Sequence, residues 1–187
     1  MLIAIAAVAL AAVLVVRAAA KPDTFTVRRS TCIEAPPEKV WALVDDFHRW
    51  AMWSPYEDLD PVMRRTYSEP AAGEGGVYAW KSSGRAGAGR MEIAESSPSK
   101  VVVHVHRAKA HDVAEFTFRP ANGATEVTWS LQGTGSFLAK RATAHDFETG
   151  LANLKATVER SWFGPRKPAR RAPRRRGVNP RQWRVAA

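Results

Sequence analysis

The 187-residue chain is 45% hydrophobic and contains a single cysteine, Cys32, which fits one globular domain with short appendages and excludes both a disulfide framework and a multi-cysteine zinc site. Its net charge of +10 resembles a nucleic-acid signal, yet nine of its 28 Lys and Arg residues follow Ser161 with no acidic residue among them. The remainder is nearly neutral, so a cationic nucleic-acid face on the folded domain is not supported.

The chain opens MLIAIAAVALAAVLVV, an apolar run closed by Arg17, and residues 18–20 extend it with alanine. At about 1.5 Å per helical residue, residues 1–20 are near the minimum length for crossing a hydrocarbon core of about 30 Å. A cleaved secretory signal is the competing reading, with residues 18–20 as the small-residue cleavage site. No Lys or Arg precedes the run, however, while Arg17, Lys21, Arg28 and Arg29 follow it. That flank pattern favours an uncleaved single-pass anchor with the globular body on the cytoplasmic side. A secreted or periplasmic body, released near Ala20, is the alternative.

From Thr24 to Ile33, Phe25 and Val27 alternate with Thr24, Thr26 and Arg28, the pattern of a half-buried strand. Pro36 and Pro37 suit a first helical turn, and Glu38 places negative charge near the positive end of the helix dipole, so a helix is predicted to start there. Val40, Trp41, Leu43, Val44 and Phe47 recur with a helical period, and Asp45 and Asp46 mark a fraying end. Trp50 and Trp53 follow, before Ser54 and Pro55 turn the chain into a loop. These tryptophans need a large apolar surface to cover.

Short runs at residues 62–67, 77–81, 87–94, 100–107, 113–119 and 125–131 supply it as strands separated by turn signals, of which Asn122-Gly123 is a strong two-residue hairpin. Alternation places Met91, Ile93, Val101, Val103, Val105, Phe116, Phe118, Val127, Trp129 and Leu131 on one buried face. Residues 144–160 then read as a helix with Phe147, Leu151, Leu154 and Val158 on its apolar side. Gly150 lies on that side although a mid-helix glycine costs about 1 kcal/mol relative to alanine. Either tight helix-to-sheet packing or room for a ligand accounts for it.

This order of strand, short helices, antiparallel meander and long terminal helix resembles the START-like helix-grip fold of the SRPBCC superfamily. The stretches IEAPPEKVWALVDDFHRWAMWSPYEDLDP, MRRTYSEPAAGEGGVYAW, GRMEI, AEFTFRP, TEVTWSLQG and DFETGLANLK are similar to its bacterial polyketide cyclase/dehydrase-type branch, whose members often carry an N-terminal hydrophobic segment. The resemblance implies an α+β fold over residues 24–160: a curved antiparallel sheet with two short helices, crossed by a long C-terminal helix that closes an apolar cavity. It does not imply cyclase activity, because fold and function separate readily. Between Gly135 and Asp146 the chain is shorter than the Met- and Phe-rich stretch of that family, which implies either a more open cavity end or a terminal helix that starts late.

No nucleophile elbow, phosphate-binding loop, HExxH or paired cysteine is present. His104 and His106 share a strand face, but without an evident third ligand they read as solvated outer-face histidines rather than a metal site. Cys32 reads as a small packed residue rather than a nucleophile. His145 and Asp146 are adjacent, so on a helix they point about 100° apart and form no oriented acid-base pair. Arg90 and Glu92 read as an outer-face ion pair. Trp53, Tyr78 and Trp80 read by default as core packing, although aromatic rings also line apolar ligand cavities.

Residues 161–187 hold Arg and Lys among Pro and Ala and are predicted to form a basic, disordered tail. Such a tail next to a membrane would contact anionic lipid, each basic residue contributing about 1 kcal/mol. A frameshifted or extended end of a GC-rich gene is the other reading. Taken together, the residues and the resemblance favour a membrane-tethered protein that binds a small apolar ligand or lipid. The cavity candidates are Trp53, Tyr78, Trp80, Met91, Phe116, Phe118, Trp129, Phe147, Gly150, Leu151 and Leu154. No catalytic residue, metal or cofactor is implied. A cyclase, aromatase or hydrolase acting in the same cavity is the alternative, disfavoured because such an enzyme needs an inward acid, base or oxyanion donor and the inward-facing list is almost wholly apolar and aromatic.

Overall fold

The computed structural model describes residues 24–163 apart from positions 85, 109 and 136. The expected anchor at residues 1–20 and the basic segment from position 164 lie outside the described residues. The strands are β1 (Thr24–Ile33), β2 (Arg64–Tyr67), β3 (Val77–Lys81), β4 (Ala88–Ser97), β5 (Lys100–Arg107), β6 (Ala110–Ala121) and β7 (Ala124–Thr134). They form one seven-stranded sheet in the order β1-β7-β6-β5-β4-β3-β2, with every neighbouring pair antiparallel. Helix α1 (Pro37–Val44) and a 3-10 helix (Phe47–Met52) follow β1, and the long helix α2 (Phe137–Phe163) closes the chain. This is the helix-grip arrangement.

The apolar stripe expected from Val40 to Phe47 is divided in two. Helix α1 begins one residue later than two helical prolines would allow, because Pro36 takes the extended N-cap position. It ends at Val44, where Asp45 caps it, and Asp46 turns to extended backbone with its carboxylate accepting from the His48 amide at 2.9 Å. That side-chain bond offers the backbone an alternative to continued helix. Phe47 and Trp50 therefore sit on a separate 3-10 turn, both buried. The indole N–H groups of Trp50 and Trp53 donate back to the carbonyls of Val44 and Leu43 at 2.9 and 3.1 Å, which ties that turn to α1.

On the sheet the alternation holds. Ile93, Val101, Val103, Phe116, Phe118, Val127, Trp129 and Leu131 are buried, while Met91 and Val105 are partly buried against them. Asn122 and Gly123 both have positive φ, 49° and 82°, as a tight β6–β7 hairpin requires. Cys32 is a correction, since it is exposed. It lies on the outer face of the edge strand β1, between the inward-facing Thr31 and the fully buried Ile33, so no second layer packs on it.

Helix α2 runs beyond the predicted 144–160 at both ends and begins at Phe137. The shortened stretch before Asp146 thus does not delay the helix; its Ala, Lys and Arg content favours helix without marking an apolar face. The first residues of the expected tail, up to Phe163, belong to this helix. Phe147, Leu151, Leu154 and Val158 are buried as a stripe, each contributing about 1.5–3 kcal/mol of apolar burial. Arg29 donates to the Glu148 carboxylate at 2.7 Å, and the Glu34 amide donates to Glu159 at 3.0 Å, fixing α2 along β1. Among the described residues no helix is long and apolar enough to cross a membrane.

Candidate functional site

A cavity of about 240 Å³ lies where the inward face of the sheet, the loop after Trp53 and the first half of α2 converge. Its apolar wall comes from alternating strand positions: Tyr78 and Trp80 on β3, Met91 on β4, Val105 on β5, Ala114 on β6, and Trp129 and Leu131 on β7. Phe147 closes it from α2, stacked on Trp129 with ring centroids 3.7 Å apart. Half-exposed Leu59 and Arg107 mark the mouth.

Of the sequence-derived candidates, Tyr78, Trp80, Met91, Trp129 and Phe147 line this space. Trp53, Phe116, Phe118, Leu151 and Leu154 are buried in the core behind it. Gly150 is a correction to the reading of open room: a Cβ built there would lie 2.8 Å from the Trp129 ring and 3.1 Å from Pro55. The glycine permits a close-packed seam between α2, β7 and the loop.

The polar side of the cavity was not legible as a motif. Glu57, only 8% exposed, accepts from the Tyr78 hydroxyl at 2.8 Å and from Arg65 Nε at 2.6 Å, while Arg65 Nη2 donates to the Glu57 carbonyl at 2.8 Å. Burial first, then the hydrogen bond to Glu57, pushes the Tyr78 hydroxyl well above its ordinary range. Tyr56 is raised similarly, by burial and then by the neighbouring Asp146 carboxylate. The hydrogen bond to Glu57 raises Arg65, holding its guanidinium charged. At the mouth Arg107 pairs with Asp112, which is 1% exposed and also accepts from the Thr134 amide at 3.2 Å. Acidic and basic groups therefore do reach the inward side. They arrive from the loop after Trp53, from the ends of β5 and β6, and from Asp146 on α2, beside the buried stripe rather than in it.

Among the described residues, two buried donors in the cavity wall lack partners. Trp41, Trp50, Trp53 and Trp80 each donate their indole N–H to an oxygen within the fold, but the buried Trp129 Nε1 and Ser54 Oγ have none. Both residues line the cavity. Leaving such a group unpaired costs about 1–3 kcal/mol, so a hydrogen-bond acceptor entering the cavity would regain part of that cost.

The His104 and His106 pair is on the outer face, away from the cavity, and Arg90 Nη2 bonds Glu92 Oε2 at 2.7 Å beside it as expected. His111 stands across from His106 in the β5–β6 register. β6 begins at Ala110, three residues before the predicted start at 113, and this earlier start brings His111 into the ladder.

Residues 24–159 match the family described as polyketide cyclase/dehydrase and lipid transport. No curated protein matches the chain. Among solved structures, a protein from Chromobacterium violaceum is similar at a TM-score of 0.56 and 18% identity, over 72% of this chain and 96% of that one. A protein of unknown function from Staphylococcus aureus is similar at a TM-score of 0.59 and 16% identity, over 76% of this chain and 98% of that one. A dimeric Aha1 from Colwellia psychrerythraea is similar at a TM-score of 0.57 and 14% identity, over 72% of this chain and 96% of that one. At these identities the likeness concerns the fold.

Proposed function

We propose, on the premise that the chain belongs to the polyketide cyclase/dehydrase and lipid transport family, that its cavity binds a small, largely apolar molecule or lipid bearing a hydrogen-bond acceptor. The observation that carries this is the pair of unpartnered donors, Trp129 Nε1 and Ser54 Oγ, in a wall made mostly of aromatic and aliphatic side chains. The apolar body packs against Trp80, Met91, Val105 and Leu131, and the acceptor turns toward the donors. Residues 1–20 tether the domain to a membrane with its body on the cytoplasmic side, and the basic C-terminal segment contacts anionic lipid. The tether brings the cavity close to a source of apolar ligand.

A cyclase-like enzyme is the second reading, favoured by the Glu57, Tyr78 and Arg65 cluster beside the same cavity. In this geometry the Glu57 carboxylate is already engaged by two donors, so acting as a base requires displacement of one of them. Binding is therefore the function that the arrangement supports best.

The test compares 2-acetylnaphthalene with 2-ethylnaphthalene, similar in size and differing in the carbonyl, titrated into the full chain with tryptophan quenching as readout. One added hydrogen bond to a buried donor predicts a preference of roughly tenfold for the ketone, reduced in Ser54→Ala. Saturable binding of neither compound, or equal binding of both, overturns the reading. Membrane fractionation of the natively expressed protein checks the tether: retention of Met1 in the membrane fraction is expected, and a soluble species beginning at Lys21 refutes it.

A further inference from the structure

On the outer face of the sheet, opposite the cavity, His104, His106 and His111 bring one ring nitrogen each to within 4.8 Å of one another. The fold dictates this grouping. His104 and His106 are two residues apart on β5, so both point outward, and the short turn between β5 and β6 sets His111 directly across from His106. The His106 and His111 rings stack 4.4 Å apart, and His104 meets His111 edge-on at 5.4 Å.

We propose that these three histidines form a binding site for a divalent transition metal of the zinc, copper or nickel class. Imidazole suits these ions, and a site with three protein ligands leaves a further position for water or another donor. At a metal–nitrogen distance of about 2.0–2.1 Å, tetrahedral ligands stand roughly 3.3 Å apart. Side-chain rotation would have to close the observed spacing to that value, and the rings have solvent on one side to allow it, His111 being exposed and the other two partly so. Glu92 faces His104 across the β4–β5 register. Arg90, across from His106, is bonded to that same Glu92, so the pair adds no net charge to the face. The ion would clamp β5 to β6 at the hairpin.

Untagged full-length protein titrated with zinc chloride in a calorimeter, and with cobalt chloride followed by its visible d–d absorption, tests the site. One equivalent is expected to bind. His106→Gln and His111→Gln should each weaken binding at least about tenfold, because loss of a ligand should exceed the 10–100-fold effect of losing its outer partner. His48→Gln and His145→Gln, the two histidines outside the cluster, should leave it unchanged. Zinc should also raise the melting midpoint of the wild type and not of His111→Gln, a readout that confirms the variant is folded. No saturable binding by the wild type, or equal binding by the cluster variants, overturns the proposal.

Discussion

Gly150→Ala tests the packing around which α2, β7 and the loop are assembled. The added Cβ would lie 2.8 Å from Cζ3 of Trp129 and 3.1 Å from Cδ of Pro55. Favourable carbon contacts begin near about 3.5 Å, so the neighbours must retreat by a substantial part of an ångström. Neither is free to do so. The Trp129 ring is stacked on Phe147 at 3.7 Å and on Phe116 at 4.8 Å, with Trp53 edge-on at 5.7 Å, and the Pro55 ring is fixed to its own backbone. Overpacking of this kind costs about 1–3 kcal/mol, whereas alanine in place of a mid-helix glycine returns about 1 kcal/mol. The expected net loss is about 0–2 kcal/mol, and each kcal/mol lowers the melting midpoint of a chain this size by about 2–4 °C. Gly150→Leu carries the same clash with a longer side chain and should lose more. Urea denaturation followed by tryptophan fluorescence measures both, with an unchanged m-value as the check on two-state behaviour. If Gly150→Ala is instead more stable by the full helix-propensity gain, the seam yields to a methyl group and the close-packing argument is refuted.

The remaining predictions concern the cavity's polar side. All three tyrosines, Tyr56, Tyr67 and Tyr78, are raised above their ordinary value, burial being the largest cause for each. The folded chain thus keeps protons that the unfolded chain releases near pH 10 (an approximate reference value), so this contribution to stability is fully present below about pH 10 and falls as pH rises through the folded values. Ultraviolet titration should show Tyr56 and Tyr78 forming tyrosinate only with alkaline unfolding; either of them ionising near its ordinary value in the folded protein would contradict the burial assigned to it. Ser54→Ala removes a buried hydroxyl that has no partner, so its stability should be unchanged or higher by up to about 1 kcal/mol. A loss of about 2 kcal/mol or more in chemical denaturation would mean that the hydroxyl is satisfied within the fold.

The strand faces were legible because each strand buries one side only, which forces an apolar residue at every second position. Phe116, Phe118, Val127, Trp129 and Leu131 follow that rule and are buried. The β6–β7 turn was legible because only a few residues tolerate positive φ at both positions, and Asn122-Gly123 is such a pair. Boundaries were harder wherever a local side-chain bond competes with the repeat. Asp46 stops the helical stripe by accepting from the His48 amide, an event that periodicity does not register. The start of α2 is not legible for the opposite reason: residues 137–143 have helix-forming composition without an apolar stripe, so nothing in the pattern distinguishes helix from loop.

The candidate site divides along the same line. Tyr78, Trp80, Met91, Trp129 and Phe147 could be named from the sequence because a cavity wall and a core face have identical periodicity, and for that reason Phe116, Phe118, Leu151 and Leu154 were named with them. Periodicity finds the face; it cannot say where the face stops touching another residue. The polar groups come from outside the apolar repeat: Ser54, Tyr56 and Glu57 from the loop, Arg107 from a strand end and Asp146 from the margin of the apolar stripe of α2. Their pairings join different elements, as when Glu57 from the loop reaches both Arg65 on β2 and Tyr78 on β3. The apolar wall fixes how large a molecule can enter. Which molecule is held depends on the few polar atoms left unsatisfied when the wall closes, and Trp129 Nε1 belongs to both sets: its ring is counted in the pattern, while its unpaired N–H exists only in the folded chain.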